Sequence, residues 1–313
     1  MINVGIVGSF SAINKHTNAL GKIPDTRITG RWIPEDGGDT ALEFETGNSC
    51  IHPEELAENS DALIITGSGR FCSSLVVAAL RKAKHVFLYP AVLNSVNEAN
   101  QLIKLAREAN VILKAGKTGK TDARGLTDAI HDPSGISMVE LQHYHRLSDA
   151  DNHHTISEAL LTDLEIVNSL IRARVISIKA KGLCMLSPQP EIINARLEFD
   201  NGCAVNYNCN LVAAQNEFLG TVVLNNRILK YNFITHELTN WFIHRINNQD
   251  ENPILTESRR VEHTDLLATE LSDFLNNIHS DQAFLSLRDS GFEAFLLADR
   301  ILEKVMKTLV RCT

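Results

Sequence analysis

The apolar and polar positions of the first third of the chain predict a parallel α/β domain. An apolar run at residues 4–7 leads into a turn at 8–11, and apolar residues then recur at helical spacing from 12 to 20. Residues 61–66 form a continuous apolar run, which is typical of a parallel strand buried on both faces. Strands and helices continue to alternate up to Gly116, as right-handed crossover units do.

Beyond Gly116 the pattern changes to strands with one polar face, which predicts an α+β domain with a mostly antiparallel sheet. A hairpin turn is indicated by Asp200-Asn201-Gly202. The predicted strands are 139–146, 175–181, 192–199, 203–209, 218–224 and 228–233, and the predicted helices are 158–172, 262–278 and 291–307. We therefore divide the chain into domains at residues 1–118 and 119–313.

The first strand, turn and helix are arranged as in a nucleotide-binding domain, but the glycine fingerprint is incomplete. The pattern Gly-x-Gly-x-x-Gly falls here on Gly8, Phe10 and Ile13. Phe10 places a side chain where the pyrophosphate normally approaches bare backbone, and Ile13 is expected to push the helix away from the strand unless the packing has adapted. Taken alone, this stretch favours an ordinary α/β turn over a working dinucleotide site.

The tip of the second strand does not decide between NAD and NADP. An acid there normally binds the adenosine ribose, whereas here Ile33 stands at the tip and Glu35 and Asp36 follow. These acids precede two glycines, so a turn is the favoured interpretation. Arg31 is a weak candidate for binding the phosphate of NADP.

Composition narrows the class of protein without naming a reaction. The chain has 313 residues, of which 44% are hydrophobic, enough for two domains. The net charge of −8 disfavours nucleic-acid and anionic-membrane partners. We find no long apolar span and no basic leader, and expect a soluble, cytoplasmic protein. Six cysteines form no Cys-x-x-Cys pair, which disfavours a structural zinc site, and we expect no metal.

Several segments together resemble the glucose–fructose oxidoreductase / inositol dehydrogenase / rhizopine-catabolism family, Gfo/Idh/MocA. They are residues 4–8 with His16 and Leu20, and residues 61–66, 78–86, 99–116, 271–275 and 286–292. The resemblance implies an α/β N-terminal Rossmann domain plus an α+β C-terminal domain with an open, mostly antiparallel sheet for substrate binding and oligomerisation. It further implies hydride transfer between NAD or NADP and a small-molecule sugar, polyol or related carbonyl compound, in a homodimer or homotetramer.

The resemblance also implies which residues form the site. Leu88-Tyr89-Pro90 stands where the family usually has Glu-Lys-Pro, and biliverdin reductases similarly have tyrosine before this proline. Tyr89 is therefore the candidate proton donor, although with an ordinary pKa near 10 it needs a nearby cation to act as a base. The candidate cofactor-binding residues are Gly8, Ser9, Phe10, Ser11, Ala12, Thr66 and Gly67.

The resemblance also implies a second site position, where the family usually has a histidine and this chain has a residue that cannot replace it as an acid/base. Thr162 occupies it, with Glu158 upstream. His153 and His154 are possible substitutes, but histidines in a polar loop are more often solvated. His143 and His145 share one strand face, where they are polar surface residues, a weak metal pair or substrate contacts. Two hypotheses stay open: an NAD(P)-dependent oxidoreductase with altered motifs, and a catalytically silent relative that senses or scaffolds.

Overall fold

A computed structural model describes residues 1–33, 53–66, 70–89, 93, 95–116, 123–130, 132–147, 155–243, 254–261, 266–278 and 290–311. Within these residues the strands are β1 Ile2–Val7, β2 Thr26–Trp32, β3 Ala62–Ile65, β4 His85–Leu88, β5 Leu113–Ala115, β6 Ile136–Arg146, β7 Val175–Cys184, β8 Ile192–Phe199, β9 Ala204–Ala213, β10 Glu217–Leu224, β11 Arg227–Asn232, β12 Glu237–Ile243, β13 Ile254–Arg260 and β14 Val310–Arg311. The α-helices are α1 Phe10–Leu20, α2 Pro53–Glu58, α3 Arg70–Arg81, α4 Val96–Glu108, α5 Arg124–Thr127, α6 Ile156–Leu170, α7 Leu266–Ile278 and α8 Ser290–Lys307.

Internal contacts divide the chain into two units. Unit 1 comprises residues 1–119 and 265–295, and unit 2 comprises 120–264 and 296–313. The division at residue 118 assigned α7 to the second domain, whereas its contacts place it in unit 1. Leu271 and Phe274 of α7 are fully buried in the same apolar cluster as Ile13 and Phe87. A pattern of helical spacing marks the apolar face of α7 but does not say which sheet that face covers.

Unit 1 is built on a five-stranded parallel sheet in the order β2-β1-β3-β4-β5, which confirms the predicted α/β fold. All four residues of β3 are fully buried, because helices cover both faces of the sheet. Gly5 permits close packing inside the unit, since a Cβ at this position would lie 2.7 Å from Leu63 and 2.8 Å from Leu56.

Unit 2 contains a nine-stranded sheet in the order β13-β12-β11-β10-β6-β9-β8-β7-β14. Its pairs are antiparallel except β6 with β9 and β7 with β14, so the predicted mostly antiparallel sheet is confirmed. The predicted hairpin is present: Gly202 has φ +86°, and the Phe199 amide donates to the Cys203 carbonyl at 2.9 Å. Helix α6 packs on β6 and β9, whose buried residues include Val139 and Leu141 of β6 and Val205 of β9.

Two further features of the described residues concern the cysteines and the apolar character of the helices. Cys72, Cys184, Cys203 and Cys209 are buried free thiols, an environment typical of cysteines that act as small apolar packing residues. Across the described ranges, no helix combines the length and apolar character needed to span a membrane.

Candidate functional site

In unit 1 the predicted site residues gather at the carboxyl edge of the parallel sheet. Gly8 follows β1, Thr66 follows β3 and Tyr89 follows β4. The chain runs from β1 to β2 on one side and returns to β3 on the other, so this edge includes the point where strand order reverses and where such folds bind ligands. The Thr66 amide donates to the Val7 carbonyl at 2.8 Å, and the Tyr89 amide donates to the Ile65 carbonyl at 3.1 Å.

The turn between β1 and α1 has the geometry of a helix N-terminus suited to an anion. Ser9 is the N-cap, and its hydroxyl accepts a hydrogen bond from the Ala12 amide at 3.4 Å. The Gly8 amide donates to the Trp32 carbonyl at 3.1 Å and so ties the turn to β2. The first-turn amides of a helix lack partners within the helix and carry its positive dipole end, so this turn fits a phosphate group.

The two departures from the glycine fingerprint have different structural consequences. Phe10 is the first residue of α1 and is half-buried, so a side chain occupies the position of the second glycine. Ile13, at the third position, is 0% exposed and packs in a cluster with Ile64 of β3 and Phe274 of α7. The packing has therefore adapted to Ile13, which belongs to the apolar core of unit 1.

Tyr89 has a partner that the sequence did not assign to the site. His16 of α1 places Nε2 3.1 Å from the Tyr89 hydroxyl, and the two rings meet edge to face with centroids 5.5 Å apart. His16 Nδ1 lies 2.7 Å from the Ala12 carbonyl oxygen. Because a carbonyl only accepts, the proton resides on Nδ1, and Nε2 accepts from Tyr89. The pair therefore has a defined direction, with Tyr89 as the donor.

The environment of His16 determines its charge. Burial lowers its pKa from 6.5, and Lys15 acts in the same direction, against the hydrogen bond to Ala12. The ring is therefore neutral near pH 7. Tyr89 thus has a neutral base as its neighbour instead of the cation that the sequence argument required. Helical spacing had marked His16 as part of the buried face of α1, but only the fold brings it to Tyr89.

Other predicted residues are less informative about the cofactor. Gly67, Glu35 and Asp36 lie outside the described residues. Ile33 packs against the apolar cluster of unit 1. Arg31 is buried, and its Nε donates to the Thr17 hydroxyl at 3.2 Å. Arg31 is therefore engaged with α1, which weakens it as a ligand for a cofactor phosphate.

In unit 2, Thr162 stands at the position where the family resemblance implies a histidine. Thr162 is buried, and its hydroxyl donates to the Glu158 carbonyl one helical turn earlier, at 3.1 Å. The Glu158 amide in turn donates to the hydroxyl of Thr155, the N-cap of α6, at 3.2 Å. His153 and His154 lie outside the described residues.

The two histidines of β6 have separate partners. His145 Nδ1 lies 3.1 Å from the Arg146 carbonyl, whereas His143 Nδ1 lies 3.1 Å from both carboxylate oxygens of Asp163. No group of three or more metal-ligating side chains occurs among the described residues. The Asp163 contact was missed because it joins a strand to a helix across the core, and no spacing in the sequence indicates it.

Comparisons with known proteins agree with this architecture. The Gfo/Idh/MocA family model, described as "Oxidoreductase family, NAD-binding Rossmann fold", matches residues 2–117. Among solved structures, the UDP-N-acetylglucosamine 3-dehydrogenase GnnA from Acidithiobacillus ferrooxidans is similar with a TM-score of 0.82, at 17% identity over 98% of both chains. A levoglucosan dehydrogenase in complex with NADH and L-sorbose has a TM-score of 0.77, at 13% identity over 98% of this chain and 97% of that chain.

A dehydrogenase from Chromobacterium violaceum has a TM-score of 0.74, at 15% identity over 98% of this chain and 95% of that chain. At these identities the similarity shows a shared fold. A sequence comparison with curated proteins gives no match.

Proposed function

We propose that this chain, whose residues 2–117 match the Gfo/Idh/MocA oxidoreductase family model, is an NAD(P)-dependent oxidoreductase acting on a sugar, polyol or similar carbonyl compound. The observation that carries the proposal is the hydrogen bond from Tyr89 to His16 at the carboxyl edge of the parallel sheet. Support for the substrate class comes from two proteins of the same fold, one named for a UDP-sugar and one holding L-sorbose.

The residues of the first turn fit a dinucleotide through their backbone. The N-terminus of α1, capped by Ser9, would hold the pyrophosphate, with Thr66 on the neighbouring strand end. Ile13 leaves this surface free because its side chain lies in the core. When bound, the nicotinamide cofactor supplies or accepts the hydride.

Tyr89 and His16 would form a proton relay. In alcohol oxidation the substrate hydroxyl gives its proton to the Tyr89 oxygen, while Tyr89 passes its own proton to His16 Nε2. In total, one proton moves from the substrate hydroxyl to the imidazole of His16, and the phenol of Tyr89 is neutral before and after the step. The relay therefore avoids a free phenolate, which costs much at neutral pH because an ordinary tyrosine has a pKa near 10. In reduction the same protons move in reverse.

The first experiment is titration of the purified protein with NADH and NADPH, followed by nicotinamide fluorescence and by melting temperature. A ligand at 100 times its Kd stabilises the fold by about 2.7 kcal/mol, which is measurable as a shift. Saturable binding of either one selects the cofactor for a screen of carbonyl substrates. Absence of binding at millimolar concentration would refute the oxidoreductase proposal and favour the silent relative.

The second experiment replaces Tyr89 by phenylalanine, which removes the hydroxyl and retains the ring. We expect turnover to fall by about 10²–10⁴-fold, the usual contribution of a positioned acid/base, with unchanged cofactor affinity. Tyr144→Phe is the matched control, because it makes the same chemical change on β6 of unit 2. Unchanged turnover in Tyr89→Phe would remove Tyr89 from the mechanism.

We further propose, from the family resemblance, a homodimer or homotetramer located in the cytoplasm, with neither nucleic-acid nor membrane partners. The net charge of −8 supports the last point. Light scattering coupled to size-exclusion chromatography measures the assembly directly, and a monomeric mass would contradict the oligomer.

A further inference from the structure

Unit 2 contains a buried carboxylate with two side-chain donors. Asp163 of α6 is 0% exposed. The Tyr207 hydroxyl of β9 donates to Oδ2 of Asp163 at 2.7 Å, and His143 Nδ1 of β6 lies 3.1 Å from both oxygens. Burial, and then the charge of Asp163, raise the pKa of Tyr207 above its ordinary value, so the phenol retains its proton and donates it.

These contacts fix the orientation and the tautomer of His143. The carboxylate accepts, so the Nδ1 proton of the imidazole points toward Asp163 and the lone pair of the neutral ring is on Nε2. The ring also stacks on Phe218 of β10, with centroids 4.0 Å apart and planes 4° from parallel. The side chain nevertheless retains 20% exposure. Since Nδ1 faces Asp163, Nε2 is the ring nitrogen left to bind a ligand.

Stability alone is a weak reason for this arrangement. Apolar residues of similar volume often stabilise a core as well as a buried charged pair, because the desolvation cost offsets the attraction. An imidazole with one nitrogen held by a carboxylate and the other at the surface is the arrangement that directs a proton-accepting nitrogen at a ligand. Tyr207 and Cys209 of β9 both interact with Asp163, and burial raises the pKa of each.

We propose that His143 binds the substrate through Nε2, which accepts a hydrogen bond from a hydroxyl group of a polyhydroxylated ligand, and that Asp163 positions it. The inference rests on the proposed function in one respect, namely that the ligand is the sugar or polyol substrate. It deepens that proposal by naming a recognition residue on β6, at a position other than Thr162, whose hydroxyl donates to the Glu158 carbonyl.

The test begins with a readout that needs no turnover. Long-range ¹H–¹⁵N spectra of histidine-labelled protein report the tautomer of His143 directly, with the His143→Gln variant identifying its signals. We expect protonation on Nδ1 near neutral pH, and a shift of the Nε2 resonance on adding L-sorbose or UDP-N-acetylglucosamine. A proton on Nε2, or no shift with either probe up to tens of millimolar, would overturn the inference.

Two variants separate positioning from structure. Asp163→Asn keeps the shape but offers an amide donor to Nδ1, so we expect the proton to move to Nε2 and probe affinity to fall about tenfold, the net value of one hydrogen bond. Tyr207→Phe is the matched control, because it removes the other bond to Asp163 and leaves His143 in place. Equal losses in both variants would indicate a structural role and contradict the inference.

Cofactor binding separates this inference from the function on which it rests. A His143 shift with a probe in a protein that binds neither NADH nor NADPH would retain the recognition site and refute the oxidoreductase. Turnover with an identified sugar but no shift of the His143 resonance would retain the oxidoreductase and refute the recognition site. In the active enzyme, Asp163→Asn should raise KM about tenfold with a smaller change in kcat.

Discussion

Replacing Ile13 by glycine would restore the third place of the dinucleotide fingerprint, yet we expect it to destabilise unit 1. Ile13 is 0% exposed and packs with Ile64 and Phe274. Because the Ile13 side chain fills the space between α1, the sheet and α7, a glycine at this position would leave a cavity there.

The expected loss follows from the burial. Truncating a buried isoleucine to alanine costs about 2–5 kcal/mol. Glycine inside a helix costs about 1 kcal/mol more than alanine. We therefore expect Ile13→Gly to lose roughly 3–6 kcal/mol of unfolding free energy, a large share of the roughly 5–15 kcal/mol typical of a domain.

Urea unfolding followed by tryptophan fluorescence measures this loss. The chain has two tryptophans, so a Trp241→Phe background leaves Trp32 of β2 as the reporter of unit 1. Ile13→Val should cost only about 0.5–1.5 kcal/mol. Asn18→Ala, on the exposed side of the same helix, is the neutral control. If Ile13→Gly stayed within 1 kcal/mol of the parent, the assignment of Ile13 to the core would be refuted.

Three further predictions address neighbouring features. Phe10→Gly should tighten dinucleotide binding in a fluorescence titration, because it clears the second fingerprint position; an unchanged Kd would contradict a steric role for Phe10. Burial lowers the pKa of His16, so the unfolded chain binds this proton first and stability should fall as pH drops below 6.5; urea midpoints of His16→Gln should lack this loss. Gly116→Ala should cost about 1–3 kcal/mol, since its Cβ would lie 2.4 Å from the Phe87 ring, whereas Gly21→Ala, with 3.5 Å of space, should be nearly neutral in the same assay.

Elements whose signals are local could be predicted from the sequence. The serine before α4 is one example: Ser95 with Glu98 three residues later is typical of a helix start, and the Glu98 amide donates to the Ser95 hydroxyl at 3.2 Å. The hairpin at Gly202 is another. By contrast, β12, β13 and β14 were not predicted. Every residue of β13 is exposed, so it has no alternation of buried and exposed positions for a pattern to detect.

The candidate sites show the same distinction. The position of Tyr89 after the fourth strand followed from chain order and from the family resemblance. Its partner His16 lies 73 residues away, and the hydrogen bond between them exists because β1 and β4 end on the same edge of one sheet. Asp163 and His143 meet because α6 packs on β6.

The sequence by itself determined the order of most strands and helices, the parallel and antiparallel halves, the turn at residues 8–11 and the polar residue at Tyr89. These features depend on the spacing of side chains over a few residues, and this spacing can be read from the sequence. The tertiary structure alone decided that α7 joins unit 1, that Ile13 is core, and that His16 lies beside Tyr89 and Asp163 beside His143. Those outcomes depend on which surfaces meet after folding, since burial and hydrogen-bond partners are set by residues distant along the chain.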